Sequence, residues 1–271
     1  MKVILVLISL IYTTLFYSQA AEIGVLGGVS YYLGDLNPNR HFYNNKFGGS
    51  IFYRDKIRKS DRLSLRIQLS YGKVEAFDAD SKSQDQINRN LSFQSKIIEF
   101  GPMIEINFLP YEVGSRRKPG TPYLFMGITY FKMNPMGRYN DSWLELQSLR
   151  TEGQGTPANS SKPYRLNQIS VPIGLGIKVN ITSRIALGLE YGIRKTFTDY
   201  LDDVSGNYIH PTILSENNGQ LSADISDPSL NNQGSFSYNN GVARGNPNNK
   251  DWYTFAGISL SFRLKAYTTC P

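Results

Sequence analysis

One cysteine and two histidines stand in 271 residues, and each scarcity closes a chemistry. A single thiol cannot form an internal disulfide. It is Cys270, the penultimate residue, either an idle thiol on a frayed end or half of a bridge to another chain. No cysteine ends the leader, which excludes a lipid anchor there. His41 and His210 both fall in segments that read as loops, with no serine or acid placed beside either, so a hydrolase triad lacks its base. Beyond residue 20 no apolar run is long enough to cross a bilayer as a helix, which takes about 20 residues. Like charges form no block of the kind that marks a disordered tail.

What is present begins with MKVILVLISLIYTTLFYSQA. Lys2, an apolar run from Val3 to about Phe16, and small residues before the break have the layout of a secretory signal. Ser18 and Ala20 occupy the positions a signal peptidase reads. The apolar run is short for a spanning anchor, so residues 1–20 read as a cleaved signal and 21–271 as one exported domain. The net charge of +7 becomes +6 once Lys2 leaves. A basic chain can bind nucleic acid, but an exported one seldom meets it, and here the charges are scattered among strands and turns.

The stretch AEIGVLGGVSYYLGDLNP is glycine-rich, yet no helix-forming Lys-Ser or Lys-Thr segment follows, so it is no phosphate loop. Its parity tells more. Ile23, Val25, Val29, Tyr31 and Leu33 alternate with Glu22, Gly24, Gly28, Ser30 and Gly34, which is strand periodicity. RLSLRIQLSYG alternates more cleanly, with Leu63, Leu65, Ile67, Leu69 and Tyr71 against Arg62, Ser64, Arg66, Gln68 and Ser70. KIIEFGPMIEINF, QISVPIGLGIKVN, RIALGLEYGIRK and DWYTFAGISLSFRLK repeat the pattern; YLFMGITYF and FGGSIFYR match it less well. That makes about eight strands, many near the 9–11 residues a tilted strand needs to span a bilayer. Aromatics gather at their ends, including Tyr31, Tyr32, Tyr71, Phe108, Tyr111, Tyr123, Tyr130, Phe131, Phe197, Tyr200 and Trp252, as two interfacial girdles would.

Connections alternate in length. KIRKSD, YEVGSRRKPG and NITS are short; the segments 34–45, 74–91, 135–164 and 201–250 are long. Short turns at one end and long loops at the other predict an all-β, eight-stranded, antiparallel up-and-down transmembrane barrel, its short turns periplasmic and its long loops extracellular. A lipocalin-like soluble barrel would turn the aliphatic face inward, but the leader and the glycines of the polar face oppose it. An immunoglobulin-like sandwich would have shorter, more evenly spaced strands.

The register has an energetic consequence. Arg66 facing lipid near the midplane would cost about 2–4 kcal/mol. Facing inward, it meets Glu22, Glu99, Glu105 or Glu190, with Lys178, Arg194 and Arg263 completing a mixed-sign lumen. Barrels of eight strands are filled by their own side chains, so the lumen reads as a polar plug and not as a diffusion pore.

AEIGVLGGVSYYLGDLNP, NRNLSFQS, FGPMIEINFLPY, TPYLFMGI, LRTEGQG, SVPIGLGIK and RKTFTDYLDDVSGNY together resemble the PorG family of the type IX secretion system of Bacteroidetes. The similarity covers nearly all of the chain after the leader and is weaker over 207–250. The resemblance implies an eight-stranded outer-membrane barrel that associates with a periplasmic PorK–PorN ring and supports secretion and, in gliding species, motility. It implies no catalytic residue, cofactor or small-molecule substrate.

A ring-facing surface would be built from Lys56, Arg58, Lys59 and Arg62 on one turn and Arg116, Arg117 and Lys118 on another. These cations either dock an acidic face of the ring or sit against phospholipid heads and solvent. On the other side, Asp199, Asp202, Asp203 and Glu152 hold a divalent cation, stand solvated or stabilise their loop, and their spacing fits no cation-loop motif. The competing functional class is a stand-alone barrel, structural or adhesive, acting through its long loops.

Overall fold

A computed structural model describes residues 21–230 and 239–264; residues 1–20 and Cys270 lie outside the described residues, as does the side chain of Lys59. Among the described residues the strands number eleven: β1 Glu22–Leu33, β2 Lys46–Lys56, β3 Leu63–Phe77, β4 Ser92–Asn107, β5 Gly120–Gly127, β6 Thr129–Lys132, β7 Pro135–Tyr139, β8 Ser142–Glu145, β9 Asn167–Asn180, β10 Ile185–Thr196 and β11 Trp252–Arg263. β5 and β6 are one stave interrupted at Ile128, whose N–H reaches Pro102 O at 3.2 Å. Counted so, eight staves pair antiparallel in chain order, and β1 closes on β11 from Glu22↔Arg263 to Leu33↔Trp252. A closed sheet has no unpaired edge, which is the condition for strands to stand in hydrocarbon.

The alternation has the inside-out sense. Leu65 and Ile173 are 41% and 42% exposed, whereas Arg66 is 1% exposed and Lys178 3%. The outward set from Ile23 and Val25 through Ile104, Leu175, Leu189 and Ile258 makes a continuous apolar wall, and the polar set is enclosed. No helix among the described residues is long and apolar enough to cross a membrane.

The barrel outgrows its apolar belt. Segments 74–91 and 135–164, expected as loops, contribute strand: β3 and β4 stay paired up to Phe77↔Ser92, and β7 continues along β4 before turning back as β8. There the alternation inverts. Lys73 and Glu75 take the outer side, with Lys46 and Lys73 on Glu75 at 2.6 and 3.6 Å, while Val74, Ala76 and Phe93 turn inward. A wall standing in water needs a polar outside, so a reading tuned to lipid-facing alternation stops at Tyr71.

The interior therefore has two storeys. The half towards the long loops holds an apolar and aromatic core that includes Tyr32, Val74, Phe93, Phe131, Leu201, Tyr253 and Phe255. The half towards the short turns holds ions. The girdle expectation is corrected accordingly: Tyr71, Phe108, Tyr130 and Phe197 face out, but Tyr32, Tyr111, Tyr123 and Phe131 are buried inside. Tyr31 is buried too, its hydroxyl 2.8 Å from Tyr191 and 3.0 Å from His41 of the first loop. Ring position near a strand end does not reveal which side it faces.

Inward glycines make room for these rings. A β-carbon at Gly72 would come within 2.6 Å of the Phe255 ring, and one at Gly176 within 2.4 Å of Tyr123. Cations stack on the same rings: Arg66 lies 4.2 Å from the Phe52 centroid and Arg194 4.7 Å from Phe255. The interior thus interleaves guanidinium and aromatic faces, a contact that gains strength when desolvated.

Candidate functional site

Three regions carry charge: the lumen, the short-turn end and the cap formed by the long loops. In the lumen, Glu105 is the centre. Its carboxylate meets Lys178 at 2.8 Å, Arg54 at 2.8 Å and Arg66 at 3.2 Å. Arg54 also meets Glu22, and Arg66 also meets Glu190, each at 2.8 Å. Three carboxylates thus face three cations, all buried. Burying an ion is costly unless geometry and pairing offset it, and this balance provides the offset.

The remaining expected lumen residues sit apart from that lattice. Arg194 pairs with Glu99 at 3.2 Å, where the Tyr253 hydroxyl also donates at 2.7 Å. Arg263 reaches Glu112 at 3.0 Å and the Val113 carbonyl at 2.7 Å. Arg54 is the residue that the sequence reading omitted. Its strand alternates poorly because Gly48 and Gly49 stand together, yet Arg54 shares parity with the inward Ser50 and Phe52, and that parity was the available signal.

At the short-turn end the connection between β4 and β5 does not hang free. Tyr111 and Val113 pack with Ala186, and Asn180 Nδ2 donates to the carbonyls of Glu112 and Ser115 at 2.9 and 3.2 Å. Gly114 adopts φ +83°, and a β-carbon there would meet the Ser183 carbonyl at 2.1 Å, so only glycine fits. The segment closes the barrel mouth.

The seven cations expected to form a docking face divide here. Lys56 pairs with Asp61 at 2.6 Å and Glu112 at 2.8 Å, and Lys118 pairs with Asp61 at 2.5 Å. They weld two turns together. Lys118 and then Lys56 hold the Asp61 carboxyl below its ordinary range. Burial pushes Glu112 up, but Lys56 and Arg263 more than offset it and leave it lowered. Arg62 donates to the Phe108 carbonyl at 2.6 Å and stays exposed, as do Arg58, Arg116 and Arg117.

In the cap, Glu152, Asp199, Asp202 and Asp203 are buried. Glu152 accepts from the backbone N–H of Ser205 at 2.8 Å and Gly206 at 3.0 Å, and pairs with Arg244 at 3.3 Å. Asp203 accepts from the hydroxyls of Thr151 at 2.5 Å and Tyr164 at 2.6 Å. Burial pushes Asp203 up to about 6 although Arg244 opposes it. Among the described residues no group of His, Cys, Asp and Glu is arranged to hold a metal ion. His41 is engaged by Tyr31, and His210 Nδ1 accepts from the Thr212 N–H at 3.3 Å, capping the helix Pro211–Asn218.

A closed ring of eight antiparallel staves, apolar outside and filled with paired ions and rings inside, defines a transmembrane β-barrel. The chain belongs to the family described as "Domain of unknown function (DUF6089)", which it matches over residues 1–211. No curated protein matches it. Among solved structures it is similar to Neisserial surface protein A, at 9% identity and a TM-score of 0.42, over 90% of this chain and 97% of that one. It is also similar to the attachment invasion locus protein Ail of Yersinia pestis, at 10% identity and 0.39, over 90% and 99%. The outer membrane protein OprG of Pseudomonas aeruginosa matches at 8% identity and 0.36, over 91% and 98%. Similarity at this level says nothing about what this chain binds or does.

Proposed function

We propose that the protein is a non-enzymatic barrel of the bacterial outer membrane that tethers or aligns the periplasmic ring of a type IX-like secretion machine. The reading rests on the PorG-like motifs, which run from the first strand to the cap. Signal-like residues 1–20 and the apolar outer wall support export to that membrane. Its short-turn end then faces the periplasm. Arg58, Arg62, Arg116 and Arg117 are exposed there on turns that the Lys56–Asp61–Lys118 weld keeps stiff. Exposed cations on a rigid frame suit an acidic partner face, for which charge sets encounter rate and orientation more than affinity. The partners are subunits of the PorK and PorN kind, with membrane lipid around the wall.

A photo-crosslinking residue at Arg117 in living cells tests this reading, with captured proteins identified by mass. Ring subunits are the expected product; capture of lipid alone would refute it. Charge reversal at all four arginines should abolish co-purification of the ring while leaving the barrel folded. The runner-up is a stand-alone barrel acting through its cap, whose Tyr164, Leu201 and Val204 share one buried core with Tyr32, Val74 and Phe93 of the barrel. Such a protein purifies without ring subunits.

A further inference from the structure

Among the contacts between cap and barrel, one hydroxyl is shared by two carboxylates. Tyr32, on the inner side of β1, places its Oη 2.5 Å from Asp202 Oδ2 and 3.0 Å from Asp251 Oδ1. Tyr32, Asp202 and Asp251 are all essentially excluded from water. The other oxygen of each carboxylate is occupied: the Val204 N–H reaches Asp202 Oδ1 at 3.0 Å, and the Leu201 N–H reaches Asp251 Oδ2 at 2.9 Å. A phenol has one hydrogen and can donate to one carboxylate. The second contact therefore needs a hydrogen from the carboxyl side.

The nearby cations are engaged elsewhere or lie at the rim. Asp35 faces Asp202, and Asp199 faces Asp251. Asp199 is 3% exposed, and the side chain facing its carboxylate is the neutral Ser205. Arg89 is the cation facing Asp202, but its guanidinium is bonded to Asp78 at 2.7 and 2.8 Å. Lys250 is the cation facing Asp199, and it is only half-buried at the rim. Arg244 is held by Glu152 and Asp203. Two buried carboxylates on one oxygen, in a cation-poor pocket, do not both ionise.

We propose that a single proton shared along Asp251–Tyr32–Asp202 latches the cap onto the barrel, and that losing this proton releases the cap. In the chain of bonds Asp251 donates to the Tyr32 oxygen and Tyr32 donates to the Asp202 carboxylate. The two acids titrate as a pair. Burial first, then Asp35 for Asp202 and Asp202 for Asp251, pushes both well above the ordinary carboxylate range. Raised values favour the folded cap at low pH, and the advantage is lost as pH climbs from the ordinary carboxylate range through the folded values. Gly34 marks how tightly the latch is built. A β-carbon there would stand 2.1 Å from both Asp251 Oδ1 and Tyr32 Oη.

Infrared difference spectroscopy of the full chain in detergent, with carboxyl-labelled aspartate, reads the proton directly. A protonated carboxyl band at neutral pH should vanish on alkaline titration. In parallel, protease cleavage within residues 197–251 should rise about tenfold, the equivalent of one unit of linked pK. The double variant D202N/D251N, checked for folding by heat-modifiable migration, should lose most of that rise and keep only the smaller part that Asp199 and Asp203 contribute. If that variant does not fold, the infrared titration of the unmodified protein decides. Absence of the band at neutral pH, or the full tenfold rise persisting in the double variant, would overturn the proposal. So would a melting temperature raised by calcium and lowered by EDTA, because a cation would then be neutralising the pocket.

Discussion

Arg66 Nη1 and Glu190 Oε2 lie 2.8 Å apart across the barrel, although 124 positions separate them in the chain. Arg66 also contacts Glu105, which keeps Lys178 and Arg54, so its loss would leave the buried Glu190 carboxylate without its cation. Removing one partner of a buried pair costs about 3–5 kcal/mol. Arg66→Met is expected to lower unfolding stability in urea by that amount, while R66M/E190Q recovers part of it. A double variant no better than the single would show that the lattice does not depend on charge balance.

The closing seam offers a purely steric prediction. Gly28 faces Gly257 in the β1–β11 register, and a β-carbon on Gly28 would stand 2.1 Å from the Ala256 carbonyl oxygen. Backbone cannot swing aside as a side-chain tip can. Gly28→Ala should cost about 1–3 kcal/mol, the usual range for overpacking. Gly27→Ala, whose β-carbon meets nothing within 4 Å, should be neutral. Equal folding yields for the two variants would contradict the register.

At the short-turn end, pH acts with the opposite sign to its action on the cap. Asp61 and Glu112 are held below their ordinary values. Lowered carboxyls contribute stability that is present above the unfolded pKa, about 4, and lost as pH falls through the folded one. Amide hydrogen exchange in 109–119 should therefore quicken on acidification below about pH 4. Asp61→Asn should quicken it already at neutral pH and flatten the profile. Exchange that stays slow in the variant would show that the turn is held by its apolar contacts alone.

The lumen is filled from end to end by the ion lattice, the rings and the 108–119 closure. Purified protein in a planar bilayer should show no steady conductance. Regular porin-sized steps would mean that the plug leaves the barrel under those conditions.

Period two told which side each residue takes wherever the outside is hydrocarbon, and it fails where the outside is water. Leu65, Arg66 and Ile173 obey it; Val74 and Phe93 invert it because the wall there stands above the apolar belt. Arg54 was legible by parity but obscured by two adjacent glycines. Tyr32, Asp202 and Asp251 were not legible as a group, since 170 and 219 positions separate the hydroxyl from its two carboxylates.

By itself, then, the sequence determined a barrel with glycine and charge on its inner face, because side-chain direction along a strand depends only on parity. The pairing of Arg66 with Glu190, the inversion above the belt and the burial of the cap acids were decided by tertiary structure alone. Those depend on how the staves stagger as the ring closes and on where the loops fold back. Contacts between distant positions are set by that stagger, and alternation within one strand carries no information about it.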